Sequence, residues 1–298
     1  MGQTKRQQRA INELHKLNMK LVREKYILIT QPDSEEAKAI IEQAQEAYKG
    51  MNTQDVKAKE TFEVTIITCM HTRVNVSKIF LESIKRITEY NKDWLKINLF
   101  VGASDIEDNK CAMLLDEYGV TYKKYPNEPL SEKWNQTLES ALNLFPNTDY
   151  ICTMGDDDIM NNDYFTTIKP FMVNGDDVFG VKNVYFISPK EENCLMFTYD
   201  FEKMMGAGRM FKASVLRDLG SLWNEKENRG LDGLSEKVLK AKGIEPVYID
   251  IPLPMITDIK TGDNIQSYSG YKPHSKVKNI NHAFTNMSEE EIKLFKNL

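Results

Sequence analysis

Segments with strand character alternate with segments with helical character along this chain, and this alternation constrains the fold more than any other feature. Apolar, β-branched runs predict strands, and apolar residues three or four positions apart predict helices. Strands that alternate with helices form parallel sheets, because parallel neighbours need crossover connections. We therefore predict an α/β fold with a mostly parallel sheet flanked by helices. The predicted strands are 62–68, 96–101, 120–125, 150–154, 177–187 and 245–251, and the predicted helices are 76–90, 106–118, 131–144, 163–173, one opening at about 212, 234–241 and 288–295.

Three consecutive acidic residues follow the predicted strand 150–154. Asp156, Asp157 and Asp158 come directly after Gly155. Carboxylates crowded at the end of a core strand repel one another and are costly to desolvate unless a positive group joins them. A divalent cation with oxygen ligands, Mg²⁺ or Mn²⁺, would satisfy them. The alternative is an acidic turn whose side chains cap the next helix. Because open α/β sheets bind ligands at the carboxyl ends of their strands, the position favours a metal site.

Composition limits the class of protein. The 298 residues allow one large domain, or one domain with an appendage, and the net charge of −5 argues against a non-specific coat for nucleic acid while leaving room for a local basic groove. No zinc or redox spacing links the four cysteines, and neither a Gly-x-Gly-x-x-Gly nor a Walker A motif occurs. The polar N-terminus and the lack of an 18-residue apolar run predict a cytoplasmic protein without a membrane anchor.

Residues 1–58 form a predicted helical extension. Helical spacing covers 5–26, and a second helix runs from Asp33, with Glu36 completing a capping box, to Gly50. Residues 1–25 hold seven Lys or Arg against two Glu. The extension either packs as a helical hairpin or serves as a basic arm for an anionic acceptor or partner.

The acidic triplet resembles the Asp-x-Asp signature of GT-A glycosyltransferases, and its surroundings are most similar to family 2. The resemblance implies a GT-A-like, Rossmann-like catalytic domain at 59–270, followed by a C-terminal loop and short helix at 271–298. It also implies Mn²⁺ or Mg²⁺ and a nucleoside-diphosphate sugar as donor. Within the triplet it implies metal contacts for Asp156 and Asp158 and sugar-nucleotide contacts for Asp156 and Asp157, and it leaves open which residue does which.

The same resemblance implies a nucleotide site across the ends of the first strands. Lys133 and Asn135 match the family's basic-x-Asn motif at the start of a helix, where a lysine neutralises phosphate and an asparagine holds the ribose or the acidic loop. The alternative for Lys133 is a solvated helix residue. The residues that the resemblance implies for this site, beyond the triplet, are Thr68, His71, Arg73, Asp105, Lys133, Asn135 and Lys260.

Further residues are implied for the acceptor side. Asp232, at the start of a predicted helix, occupies the place of the catalytic base, with Glu225 and Glu227 in reserve; otherwise it is an N-cap. His274 would be a further metal ligand, or else a surface histidine. The residues implied for the acceptor and sugar pocket are Gly206, Gly208, Arg209 and Trp223. For the two glycines the alternative is a tight turn.

The predicted reaction transfers a sugar to an acceptor hydroxyl, with inversion implied by family resemblance alone. The acceptor is a hydroxylated pyrimidine in DNA, as for some phage-encoded glycosyltransferases, or an intracellular glycan or protein. A phage origin would place the enzyme in the host cytoplasm. Two other classes remain open. One is a nucleotidyltransferase of similar α/β plan, and the other is a non-catalytic binding module.

Overall fold

The structure is a computed structural model, and it describes residues 61–298 apart from 108, 201–202, 225, 263 and 265–266, together with Glu35, Lys38 and Ala39. The described residues from 61 to 298 form one compact unit. The predicted N-terminal helices lie outside the described residues, except that Glu35, Lys38 and Ala39 are helical.

The strands are β1 Phe62–Met70, β2 Leu95–Ser104, β3 Thr121–Tyr125, β4 Tyr150–Thr153, β5 Asp158–Met160, β6 Val178–Val181, β7 Asn183–Ile187, β8 Asn193–Thr198, β9 Arg209–Lys212, β10 Val247–Ile249, β11 Ile256–Ile259 and β12 Lys276–Asn279. The helices are α1 Val74–Asn91, α2 Lys110–Glu117, α3 Leu130–Leu144, α4 Tyr164–Asn174, α5 Ala213–Leu219, α6 Leu231–Ala241, α7 Tyr268–Tyr271, α8 Asn281–Phe284 and α9 Glu289–Phe295, with a 3-10 turn at Lys272–His274.

A seven-stranded sheet forms the centre of the compact unit, in the order β10-β6-β9-β4-β1-β2-β3. Strand β1 is parallel to both β2 and β4, and β3 and β10 also pair in parallel. Only β9 runs antiparallel to its neighbours in this sheet. Val64, Ile66 and Ile67 of β1 are fully buried, as a parallel strand covered on both faces requires. The predicted α/β fold with a mostly parallel central sheet flanked by helices is confirmed.

A second sheet has five strands in the order β12-β8-β7-β11-β5. Its strand β5 begins at Asp158, the last residue of the acidic triplet. The single strand predicted for 177–187 is wrong, because the chain leaves β6 of the first sheet at Lys182 and enters β7 of the second. The stretch before the helix predicted at about 212 is also strand: β9 occupies 209–212, and α5 begins at Ala213. Strands β5, β8, β11 and β12 have no counterpart in the sequence prediction.

Residues 271–298 belong to the compact unit. Strand β12 pairs antiparallel with β8, and Arg86 of α1 donates to the buried Glu291 of α9 at 2.7 Å. The helix predicted for 288–295 is present as α9, and a capping box between Ser288 and Glu291 begins it. Within the described residues, no helix combines the length and the apolar character needed to span a bilayer.

Candidate active site

The three aspartates after β4 have different partners. Arg73, which follows β1, pairs with the carboxylates of both Asp156 and Asp157, the second at 2.8 Å. Asp156 is 3% exposed and also accepts a hydrogen bond from Ser77 Oγ at 2.9 Å. Its carboxylate is therefore held between the loop after β1 and the first turns of α1.

A different set of carboxylates is arranged for a metal. One oxygen from each of Asp157, Asp158 and Asp258 lies within 4.8 Å of the other two. Asp158 in β5 lies directly opposite Asp258 in β11, because the two strands pair antiparallel in that register. Among the described residues, neither Asp156 nor His274 belongs to such a group. The structure therefore favours Asp157 and Asp258, in place of Asp156 and His274, as companions of Asp158.

Burial opposes the ionisation of the three carboxyls in this group. Burial, followed by the carboxylates of Asp258 and Asp157, raises the pKa of Asp158 well above its usual range. Burial also raises the pKa of Asp258 to about 6, although Lys260 opposes the rise with Nζ 2.7 Å from Oδ2. For Asp157, burial alone would raise the pKa, but Arg73 and Lys260 together hold it below the usual value. Burial and crowding thus oppose ionisation of Asp158 and Asp258, and Lys260 offsets only part of that cost.

The chemistry of these oxygens fits a hard divalent cation. Oδ1 of Asp258 is buried and has no hydrogen-bond partner among the described residues. Orphaned buried acceptors are rare in folded proteins and call for a water or an ion. Mg²⁺ and Mn²⁺ prefer carboxylate oxygens. Asp157, Asp158 and Asp258 would hold such an ion.

A cavity of about 230 Å³ adjoins the carboxylate group. Asp158 and Asp258 lie on one side of it, and Asp232 also lines it. This is smaller than the roughly 300–1,000 Å³ of pockets for drug-sized ligands, and it suits one compact unit such as a sugar ring. The aromatic residues in its wall are Trp134, Phe186, Tyr199, Phe211, Trp223 and Tyr271.

Asp232 reaches the cavity from the first turn of α6. A Cβ built on Gly206 would stand 2.1 Å from Asp232 Oδ1, so the carboxylate packs directly on the glycine backbone. Gly208 has a φ of 72°, and a Cβ there would meet Ile256 Cδ1 at 2.5 Å. A side chain at Gly206 would displace the Asp232 carboxylate, and one at Gly208 would face both a positive φ and a close contact. Glu227 is exposed and does not line this cavity, and Glu225 lies outside the described residues.

Arg209 and Trp223 also line the cavity, in different ways. The guanidinium of Arg209 is 1% exposed and donates to Met204 O at 2.7 Å and Ser235 Oγ at 2.7 Å. It therefore connects β9 to α6 and has few N–H groups left to donate to a ligand. Trp223 packs against Trp134 with ring centroids 5.5 Å apart, and its Nε1 donates to Leu231 O at 3.1 Å.

Four of the residues predicted for the nucleotide, Thr68, His71, Arg73 and Asp105, lie near the carboxyl ends of β1 and β2. Thr68 is fully buried in β1, whereas His71 and Asp105 are exposed. Nδ1 of His71 lies 2.8 Å from Ser104 Oγ. Burial and then Lys133 lower the pKa of His71, so its imidazole is neutral at pH 7. His71, Arg73 and Asp105 thus border one edge of the sheet.

Lys133 is not the solvated helix residue that its position alone would suggest. It is 1% exposed, and its Nζ donates to Met70 O at 2.8 Å, Ser104 Oγ at 2.7 Å and Asn127 Oδ1 at 3.1 Å. Burial lowers its pKa. The ammonium therefore ties the ends of β1 and β2 to the segment before α3, beneath the predicted nucleotide site.

Asn135 has a different setting from the one predicted. Its amide nitrogen donates to Trp223 O at 2.7 Å, and its oxygen accepts from the backbone N–H groups of Leu222 and Trp223 at 3.1 and 3.2 Å. Both ends of the side chain are thus engaged by backbone. Asn135 fixes the loop that carries Trp223, and it does not touch the acidic triplet.

His274 lines a second cavity of about 700 Å³ together with Asp200, Phe197 and Ser267. Tyr271 lines both this cavity and the smaller one, so it forms a wall between them. Lys260, by contrast, is buried beside Asp258, with its Nζ 5.1 Å from the Phe186 ring centroid.

The sequence prediction missed Asp258 altogether as a site residue. A signal was present, because an aspartate within the apolar strand Ile256–Ile259 is unusual and calls for a partner. What the sequence does not contain is the pairing of β11 with β5, which brings Asp258 to Asp158.

No protein-family model matches the chain, and no curated protein matches it. Solved structures do resemble it. A structure of S. aureus TarS superposes with a TM-score of 0.48 at 10% identity, over 66% of this chain and 37% of that one. Two structures of TarS 1-349, one of them in complex with UDP, each score 0.46 at 9% and 12% identity, over 66% of this chain and 60% of theirs. The chain thus spans less than two thirds of each TarS structure, and at these scores the likeness does not establish a function.

Proposed function

We propose that this protein is a metal-dependent glycosyltransferase that moves a sugar from a nucleoside-diphosphate sugar to an acceptor hydroxyl. One observation carries the proposal: a carboxylate group suited to a divalent cation and a separate carboxylate, Asp232, line the same small cavity. Direct displacement at a sugar carbon needs both features. One side must stabilise the departing diphosphate, and the other must take the proton of the attacking hydroxyl.

Asp157, Asp158 and Asp258 would hold Mn²⁺ or Mg²⁺. When bound, the ion supplies positive charge that stabilises the diphosphate as it leaves. Lys260 already offsets part of the negative charge of the group through Asp258. Arg73 keeps Asp157 ionised and directs its carboxylate. The nucleotide would lie along His71, Arg73 and Asp105, at the carboxyl ends of β1 and β2, where open α/β sheets place their ligands.

Asp232 would act as the base. Its carboxylate packs on the Gly206 backbone, and it lines the cavity that Asp158 and Asp258 also line. Taking the acceptor proton on the face opposite the departing diphosphate gives inversion at the sugar carbon. Inversion therefore belongs to the proposal as the outcome of a single displacement.

For the acceptor, we keep DNA as the first candidate. No Asp or Glu occurs from 264 to 288. In the described part of the chain, the exposed Lys272, Lys276 and Lys278 of this stretch have no ion-pair partner. Such cations suit phosphates, and all three lie within four residues of His274, which lines the larger cavity. An uncharged glycan acceptor would instead leave the affinity independent of these lysines. A cytoplasmic location, in the host cell for a phage-encoded enzyme, stays a prediction.

The proposal is tested by thermal unfolding with a panel of nucleoside diphosphates and sugar nucleotides, each with and without Mn²⁺. A ligand that binds only the folded state raises the melting temperature. We expect one base to stabilise the protein in a metal-dependent manner, and the Asp158→Asn variant to lose that effect. The lack of any response would refute the proposal. Release of pyrophosphate in place of a nucleoside diphosphate would indicate a nucleotidyltransferase, and binding without turnover by any acceptor would indicate a binding module.

A further inference from the structure

The charges around the small cavity are unbalanced. Three carboxylates, Asp158, Asp232 and Asp258, line it, and among the described residues of its wall Arg209 is the one with a cationic side chain. A ligand in this cavity therefore meets an excess of negative charge, unless Arg209 is free to pair with an anionic group of the ligand.

The guanidinium of Arg209 is not free. Nη2 donates to Met204 O at 2.7 Å, Nε to Met205 O at 3.3 Å, and Nη1 to Ser235 Oγ at 2.7 Å and to the backbone oxygen of Asp232 at 3.3 Å. It is 1% exposed. A guanidinium that already donates to several oxygens has few N–H groups left to donate to an anionic ligand.

The metal-binding carboxylates can be balanced, whereas Asp232 cannot. A divalent cation and Lys260 together match the three charges of Asp157, Asp158 and Asp258. Asp232 has no ion pair in the part of the chain that the structure describes. Once a sugar nucleotide is bound, its diphosphate adds further negative charge on the metal side.

We propose that the donor sugar is uncharged, and that Asp232 discriminates against sugars that carry a carboxylate, such as uronic acids. This inference rests on the proposed function and names the substrate class of the same site. The cavity of about 230 Å³ accommodates a single ring, and its aromatic wall offers apolar contact to the C–H face of a neutral sugar. A carboxylate on the sugar would meet Asp232 and the diphosphate, and the cations near the cavity are already engaged by other groups.

The test compares two sugar nucleotides that share the base identified by thermal unfolding: a nucleoside-diphosphate hexose and the matching nucleoside-diphosphate uronic acid. Their dissociation constants are measured by calorimetry in Mn²⁺ at low salt. We expect the hexose to bind about tenfold more tightly, the scale of a partly screened repulsion between two unit charges across a cavity of this size. Raising the salt concentration should narrow the difference.

Two variants test whether the preference for the uncharged sugar comes from Asp232. Asp232→Asn removes the charge and keeps the shape, so the preference should fall to about threefold or less. Asp200→Asn, in the wall of the larger cavity, is the matched control and should keep it. Equal or tighter binding of the uronic acid by the unmodified protein overturns this inference alone, as does an unchanged preference in Asp232→Asn. Failure of every sugar nucleotide to bind, by contrast, overturns the proposed function.

Discussion

Replacing Asp258 by Asn should stabilise the metal-free protein, although most substitutions of buried residues destabilise. Asp258 faces Asp158 across the β5–β11 pair, and its Oδ1 is buried without a partner. Asparagine has nearly the same shape and still offers an oxygen to Lys260 Nζ. The substitution therefore removes one of three crowded charges and keeps the hydrogen bond.

The magnitude follows from the pKa of Asp258. Its value of about 6 in the folded protein, against 3.8 for an unperturbed aspartate, means that ionisation of this carboxyl at pH 8 costs the folded state on the order of 3 kcal/mol. A domain of this size gains roughly 2–4 °C in melting temperature per kcal/mol. We therefore expect the metal-free Asp258→Asn variant to melt up to about 10 °C above the unmodified protein at pH 8.

Mn²⁺ should remove most of this difference in stability. At a concentration about 100 times its dissociation constant, a ligand of the folded state adds about 2.7 kcal/mol to the stability. The unmodified protein should gain this amount, and Asp258→Asn, which has lost a ligand oxygen, should gain little. Thermal unfolding at pH 8 with and without Mn²⁺ measures both effects, and Asp200→Asn controls for the loss of a charge elsewhere. A less stable metal-free variant that still gains the full Mn²⁺ effect would refute the reasoning.

Three further predictions follow from the same geometry. Because the pKa of Asp258 is raised on folding, the metal-free protein should lose stability as pH rises from about 4 to about 6. The stabilisation by Mn²⁺ should grow over the same interval. Melting curves with and without Mn²⁺ at pH 5 and pH 7.5 measure both effects, and equal Mn²⁺ shifts at the two pH values would contradict the charge crowding. Asp232→Asn should keep metal-dependent donor binding and lose about 10²–10⁴-fold in transfer rate, so that near-normal turnover would remove it as base. Gly206→Ala should push the Asp232 carboxylate from its place, because the added Cβ would lie 2.1 Å from Oδ1; transfer should fall while donor binding persists, and normal kinetics would show that the packing is unimportant.

The fold was predictable to the extent that local pattern decides it. Strand β1, buried on both faces, and the capped helix at Ser288 carry their signals within a few residues, and both are confirmed. The division of 177–187 into β6 and β7 was not predictable in this way. The residues on both sides of Lys182 are apolar and β-branched, and only tertiary pairing assigns them to different sheets.

The candidate site was predictable in part for the same reason. The triplet is recognisable from its local sequence, but the role of each aspartate depends on residues that are distant in the sequence. Arg73 and Ser77 contact Asp156, whereas Asp258 lies opposite Asp158. Likewise, Lys133 and Asn135 look like ligand residues in the sequence. In the structure they connect backbone segments, because their polar ends are buried against carbonyl, hydroxyl and amide groups.

The central claim is that Asp157, Asp158 and Asp258 hold a divalent cation beside a sugar-sized cavity. The most direct measurement is a crystal structure with Mn²⁺ and the nucleoside diphosphate that stabilises the protein, with anomalous scattering recorded at the manganese edge. We predict one anomalous peak, for a manganese ion bound by oxygens of Asp157, Asp158 and Asp258 and by the diphosphate, with Asp232 across the cavity. A nucleotide bound with no peak at these carboxylates, or with the peak at His274, would contradict the account.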